Sequence, residues 1–358
     1  MTADSVGGVW SYTVAVAGDL ADRGTEVVVA VMGSPLTPGQ RAEMQHCNVT
    51  LLERPLRLEW MPDAWRDIAT AGRWLLELER RYQPDVVHVN GYAVAACRFQ
   101  APVVVVAHSC VLSWFAAVRQ AAPPPEWRRY EQCVRAGLGN ARVVVAPTRS
   151  MALSIVYHYA PPSAVLVIRN GVDADRYAPG RKQCYVLTAG RLWDDAKNVQ
   201  TVAAAAGQVP WPIYAAGAGS APDGLIGLGQ LSGTALADWM ARAAIYVAPA
   251  LYEPFGLSVL EAALSGCALV LGDIPSMREL WNGAAEFVDP RDAAALAARI
   301  AVLAADDARR TSLQAAARQR GERFSRAEMV DAYAALYQRI AEVPRPAWLT
   351  IGGGACAS

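Results

Sequence analysis

The chain has 358 residues, 53% apolar and 18% charged, which suits two globular domains with separate cores. Its 33 basic and 33 acidic residues cancel, so bulk charge favours neither nucleic acid nor an anionic membrane, and no nucleic-acid partner is expected. No apolar run is long enough for a membrane span, no signal peptide is read, and the 7 scattered cysteines form no C-x-x-C pair, all as expected of a cytoplasmic protein with reduced thiols.

Residues 2–10, Thr-Ala-Asp-Ser-Val-Gly-Gly-Val-Trp, read as a small-residue loop around Gly7 and Gly8. A helical pattern follows over 11–23 and stops at Gly24; the β-branched run 26–32 then suits a strand buried on both faces. Glycine loop, helix and strand in this order open a dinucleotide-type fold. The strand that should precede the loop is expected to be missing, with a start upstream of Met1 preferred over a damaged first domain.

Further strands are expected at 49–53, 85–89, 103–107, 143–146 and 165–168, with helices at 64–81 and 126–136 between them. Such alternation predicts a parallel, doubly wound sheet. Turn residues over 170–180 read as a linker. A second alternation then has strands at 185–189, 213–216, 225–228, 245–248, 268–271 and 285–288, and an amphipathic helix at 326–341. The expected α/β domains are thus 1–172 and 173–325, each Rossmann-like, followed by a disordered tail at 345–358.

Chemistry gathers where strands end, the usual ligand edge of such sheets. Glu253 and Glu261 flank Pro254-Phe255-Gly256, a turn from strand into helix. The N–H groups of Gly256, Leu257 and Ser258 would open that helix and seat an anion. Taken alone, both carboxylates suit a helix cap as well as a site. As site residues they either accept hydrogen bonds from sugar hydroxyls or do acid–base work. Hydrolysis is set aside, because its two carboxylates must flank a single bond.

Arg191 and Lys197 follow the strand at 185–189, where a planar fork and a compact charge can hold one diphosphate. Surface charges would be the plain reading, yet Lys182 and Lys197 are the chain's only lysines. His108 ends the strand at 103–107 on the ligand edge, although a lone histidine is more often core or cap. His88, inside a strand, reads as structural, while Asn90 and Tyr92 are candidate acceptor contacts. The arginines of helix 64–81 alternate with acids, so they read as a solvated face, and no peripheral membrane contact is expected.

In their joint order these motifs resemble the retaining glycosyltransferases of family four. They are Gly7-Gly8, the strand end 85–90, His108, Asn170-Gly171-Val172-Asp173, Gly190-Arg191-Leu192 with Lys197, and the E-x7-E segment from Glu253 to Glu261. The resemblance implies the GT-B architecture, with two facing domains and a final helix crossing back to the first. It also implies transfer of a sugar from a nucleotide-diphosphate sugar to a small-molecule or glycan acceptor hydroxyl, with retention and without metal or other cofactor. Arg191, Lys197, Gly7, Gly8 and the Phe255–Ser258 stretch would bind the donor diphosphate. Glu261 would take the ribose and Glu253 the transferred sugar; His108 would lie near the reacting carbon, and the base near Leu228 and Leu231. The competing readings are a sugar-nucleotide epimerase and an inactive nucleotide-sugar binder.

Overall fold

The structure, a computed structural model, describes residues 1–342. It divides into a first unit of residues 1–116, 121–169 and the stretch from 326, and a second unit of 117–120 and 170–325. The first unit begins β1 (Thr2–Asp4), α1 (Gly8–Asp22), β2 (Val28–Met32), α2 (Pro38–Gln45), β3 (Thr50–Glu53), α3 (Trp65–Tyr82) and β4 (Val87–Val89). It continues β5 (Val103–Val106), α4 (Val111–Trp114), α5 (Arg128–Asn140), β6 (Val143–Ala146), α6 (Arg149–Tyr159) and β7 (Val165–Val167).

Its strands pair in parallel as β1-β2-β3 and as β4-β5-β6-β7. The strand expected to be missing is therefore present, as a three-residue stub with Thr2 opposite Ala30 and Asp4 opposite Met32. Too short to show a period, it forms because β2 supplies a ladder: Met1 N donates to Val28 O at 2.7 Å, and Ala30 N to Met1 O at 2.8 Å. On its other side Asn90 replaces a ladder, its backbone N donating to Thr2 Oγ1 and its Nδ2 to Thr2 O. All four valines of β5 are buried, as a strand covered on both faces requires.

The second unit holds β8 (Gln183–Ala189), α7 (Val199–Ala206), β9 (Ile213–Ala216), β10 (Ile226–Gly229), α8 (Gly233–Arg242), β11 (Ala243–Ala248) and α9 (Leu257–Leu264). It closes with β12 (Ala268–Gly272), α10 (Pro275–Trp281), β13 (Glu286–Val288), α11 (Ala293–Ala305) and α12 (Asp307–Gly321). The strand order is β10-β9-β8-β11-β12-β13, all parallel. The chain winds outward from β8 in one direction and restarts at β11 in the other, so the carboxyl ends of β8 and β11 form the switch point where such sheets bind ligands.

A last helix, α13 (Arg326–Ala341), returns to the first unit. Its Met329, Val330, Tyr333, Leu336 and Ile340 share one buried cluster with Val16 and Leu20 of α1. Arg23 and Asp331 join the same two helices at the surface. The expected tail lies outside the described residues.

Candidate functional site

In the second unit, the loop after β8 and the loop after β11 meet at the switch point. Gly217, just after β9, lets the neighbouring loop pack against the one after β8: a Cβ there would stand 1.7 Å from Gly190 O. Asn198, in the left-handed region at φ 55°, sends its Nδ2 to Pro249 O at 2.8 Å and also to Pro290 O. Leu251 N donates to Ala196 O at 2.9 Å. These bonds carry Lys197 against Glu253, and the two form an ion pair with side chains 22% and 13% exposed. Ser276 Oγ donates to the backbone oxygen of Glu253 and holds the turn from behind.

Arg191 makes a second pair, with Asp194 at 2.5 Å. Asp194 Oδ1 also accepts from Ala196 N at 3.0 Å. Burial works against the Asp194 charge, yet Arg191, the Ala196 N–H and Lys197 outweigh it and hold the carboxyl below its usual range. The guanidinium also lies over the Trp193 ring, 5.6 Å from its centroid. Asp194 is not among the residues expected at the site; its place between Arg191 and Lys197 is the signal the sequence offers.

Helix α9 starts at Gly256, whose φ of 84° suits glycine, and no side chain caps it. Val259 N and Leu260 N turn back to Gly256 O, which leaves the N–H groups of Leu257 and Ser258 to a ligand or water, one turn from Glu261. Burial pushes the Glu261 carboxyl up to about 7, opposed by a hydrogen bond from Tyr177 and by the charge of Arg176. Ser258 bonds Tyr246, whose hydroxyl also donates to Ala189 O at 3.2 Å. Leu257 is half-buried. Phe255 is placed differently from expectation. It is 4% exposed, packs edge-on to Phe324 at 5.8 Å and anchors the turn from within the core, because its apolar ring finds a pocket there. Leu228 sits on the edge strand β10, partly buried against the core, and Leu231 follows it in the loop before α8.

The first unit gathers a separate polar cluster at the carboxyl ends of β4 and β5, beside Thr2 of β1. His108 Nε2 lies 2.9 Å from Asn90 Oδ1, and His88 Nε2 lies 3.1 Å from the same oxygen. Burial lowers both imidazoles to about 3, so both are neutral. Gly7, at φ 73°, precedes α1, which starts at Gly8 and has no side-chain cap. Asn90 and Tyr92, expected as acceptor contacts, turn their side chains inward. The Asn90 amide is spent on Thr2, Thr13 and the histidines, while Tyr92 is 3% exposed and donates its hydroxyl to Ser109 O. Both are drawn inward by partners that only the fold brings near.

Glu59, unnoticed in the sequence, braces the same loop by accepting from Tyr92 N and Ala93 N at 2.6–3.1 Å. Burial raises its carboxyl, against those two N–H donors.

Two family descriptions match the chain in tandem: Glycosyltransferase Family 4 over residues 6–176 and Glycosyl transferases group 1 over residues 183–306. The glycogen synthase of Mycobacterium tuberculosis (strain CDC 1551 / Oshkosh) is 30% identical over 283 residues, 68% of this chain and 66% of that protein. The match thus spans just under two thirds of that relative's length. The solved sucrose-phosphate synthase of Thermosynechococcus elongatus superposes with a TM-score of 0.78 over 94% of each chain at 20% identity. Anabaena HepE in complex with UDP and glucose superposes at 0.73, over 95% of this chain and 100% of that one, at 15% identity. Among the described residues no helix is long and apolar enough to cross a membrane. The paired parallel-sheet units, the E-x7-E helix start and the two consecutive family matches agree: the chain belongs to the family-four, group 1 glycosyltransferases and has their GT-B fold.

Proposed function

We propose that the protein is a retaining glycosyltransferase that moves a sugar from a nucleotide-diphosphate sugar to an acceptor hydroxyl, without a metal ion. The observation that carries this reading is the convergence of Arg191, Lys197 and the uncapped start of α9 at one switch point, with Glu253 and Glu261 on the same segment. Two cations and a row of N–H groups can neutralise a departing nucleoside diphosphate, the role a divalent cation would otherwise fill. The UDP and glucose bound by the Anabaena protein support a donor of this class.

Glu253, already held by Lys197, accepts hydroxyls of the transferred sugar, and Glu261 accepts those of the ribose. The diphosphate replaces Glu253 and Asp194 as partner of the two cations, or shares them. His108 contacts the transferred sugar, N–H groups at the start of α1 near Gly7-Gly8 help to hold the diphosphate, and the base lies against Leu228 and Leu231. The acceptor oxygen bonds to the anomeric carbon on the face the diphosphate leaves. Its proton passes to a diphosphate oxygen, so no protein nucleophile is needed. The scattered thiols support a cytoplasmic setting.

The test is a panel of UDP-, GDP-, ADP- and dTDP-sugars with and without acceptors, read as nucleoside diphosphate release and product anomericity by NMR. Acceptor-dependent release with the α linkage kept is the expected result. Inversion, an isomerised donor, or binding without release would each overturn the reading.

A further inference from the structure

The buried cluster around Asn90 contains enough hydrogen bonds to determine where its protons lie. Asn90 Nδ2 is 2.7 Å from Thr2 O, which can only accept, and 3.3 Å from Thr13 Oγ1. Thr13 has already given its hydroxyl proton to Val9 O at 2.8 Å, so it too accepts from Asn90. The amide nitrogen must therefore face this pair, and the amide oxygen must face the two histidines. An amide oxygen only accepts, and it can accept twice. His108 Nε2 and His88 Nε2 consequently both carry hydrogen.

On the far side of His88, Nδ1 lies against the hydroxyl of Tyr337 from α13. With Nε2 donating, a neutral His88 accepts that hydroxyl proton at Nδ1. The ring of Tyr12 stands edge-on to His108, with centroids 4.6 Å apart at 71°, and fixes the plane of the imidazole. Tyr12 also brings its hydroxyl to 3.4 Å from His88 Nε2.

We propose that Asn90 is a positioning residue that locks His108 in its Nε2–H tautomer, with Tyr337 holding His88 in the matching form. His108 then offers a ligand one lone pair, at Nδ1, and no N–H. It receives a hydroxyl that donates and refuses an ether or a carbonyl oxygen at the same point. This last step, a sugar with a free hydroxyl at His108, rests on the transferase reading; the tautomer does not.

The chain has only 4 histidines, 46, 88, 108 and 158, so long-range 1H–15N correlation of the 15N-histidine protein resolves each ring. At pH 7 both His88 and His108 should show a hydrogen-bearing Nε2 and a bare Nδ1. Hydrogen on His108 Nδ1 would overturn the proposal. Tyr337→Phe removes the donor to His88 Nδ1 and should shift that nitrogen's resonance while Nε2, still held by Asn90, keeps its hydrogen; an unchanged His88 Nδ1 resonance would refute the part given to α13. In Asn90→Ala, His108 should lose its single form, with kcat down about 10-fold and donor KM moved less than about threefold. A variant that keeps the single form, or loses only donor affinity, contradicts the assignment. Should Asn90→Ala fail to fold, the wild-type and Tyr337→Phe spectra decide alone. Wild-type spectra as described with no transfer from any donor would count against the transferase reading and leave the tautomer standing.

Discussion

Glu261 gives the sharpest test of the site's electrostatics. Its carboxyl is moved from an ordinary 4.5 to about 7 by burial. The folded protein thus holds a proton that the unfolded chain has already lost between those two values. In that window unfolding releases the proton, so stability falls as pH rises from about 4.5 to about 7 and is flat on either side. At ~1.4 kcal/mol per unit the full shift is worth about 3 kcal/mol, and water reaching the half-buried side chain reduces this to roughly 1–3. Glu261→Gln keeps the shape and removes the titration. Subtracting the variant from the wild type cancels every other titrating group. The variant should match the wild type near pH 4.5 and exceed it at pH 8 by a few degrees in Tm, at roughly 2–4 °C per kcal/mol for a unit of this size. Calorimetry across that range reads the difference directly. A difference that does not change with pH would refute the burial argument.

Lys197→Ala would leave Glu253, 13% exposed, facing an empty space where its counter-charge stood. The expected outcome is at least about a 100-fold loss of turnover in a donor-hydrolysis-corrected assay, together with a measurable drop in stability. Lys182 donates to three backbone oxygens, those of Met240, Ala241 and Ser265, at 2.6–3.3 Å. Lys182→Met should therefore cost about 2–3 kcal/mol in urea unfolding with donor KM unchanged, since it orphans carbonyls without touching the site. Gly217→Ala must push the β8 and β9 loops apart, because the new Cβ would sit 1.7 Å from Gly190 O, and should abolish donor binding in a thermal-shift assay. Gly207→Ala meets nothing within 4 Å and should be close to silent.

The two alternations of strand and helix were legible because each long apolar run has a period or a turn at its end. The E-x7-E segment was legible for the same reason: β11, turn and α9 are local events. β1 was not, since three residues carry no period and owe their conformation to β2. The inward place of the Phe255 ring was not legible, because Phe324, on which it packs, lies 69 positions away. Asn90 and Tyr92 were assigned outward for a similar reason: their partners Thr2, Thr13, Glu59 and Ser109 lie 17 to 88 positions away. Asp194 was within reach, three residues from Arg191, whereas the Lys197–Glu253 pair spans 56 positions and follows only from the switch-point geometry.

The return of α13 to α1 has a consequence for how the protein is made. Arg23 and Asp331 are separated by 308 positions, and the whole second unit lies between the two helices they join. During synthesis the apolar faces of Val16 and Leu20 leave the ribosome long before the helix that covers them. The second unit can complete its own sheet while the first still waits. Premature termination, or a pause, once α12 is complete would strand an uncovered first unit on a chain whose second unit is finished, an intermediate that chaperones would be expected to bind.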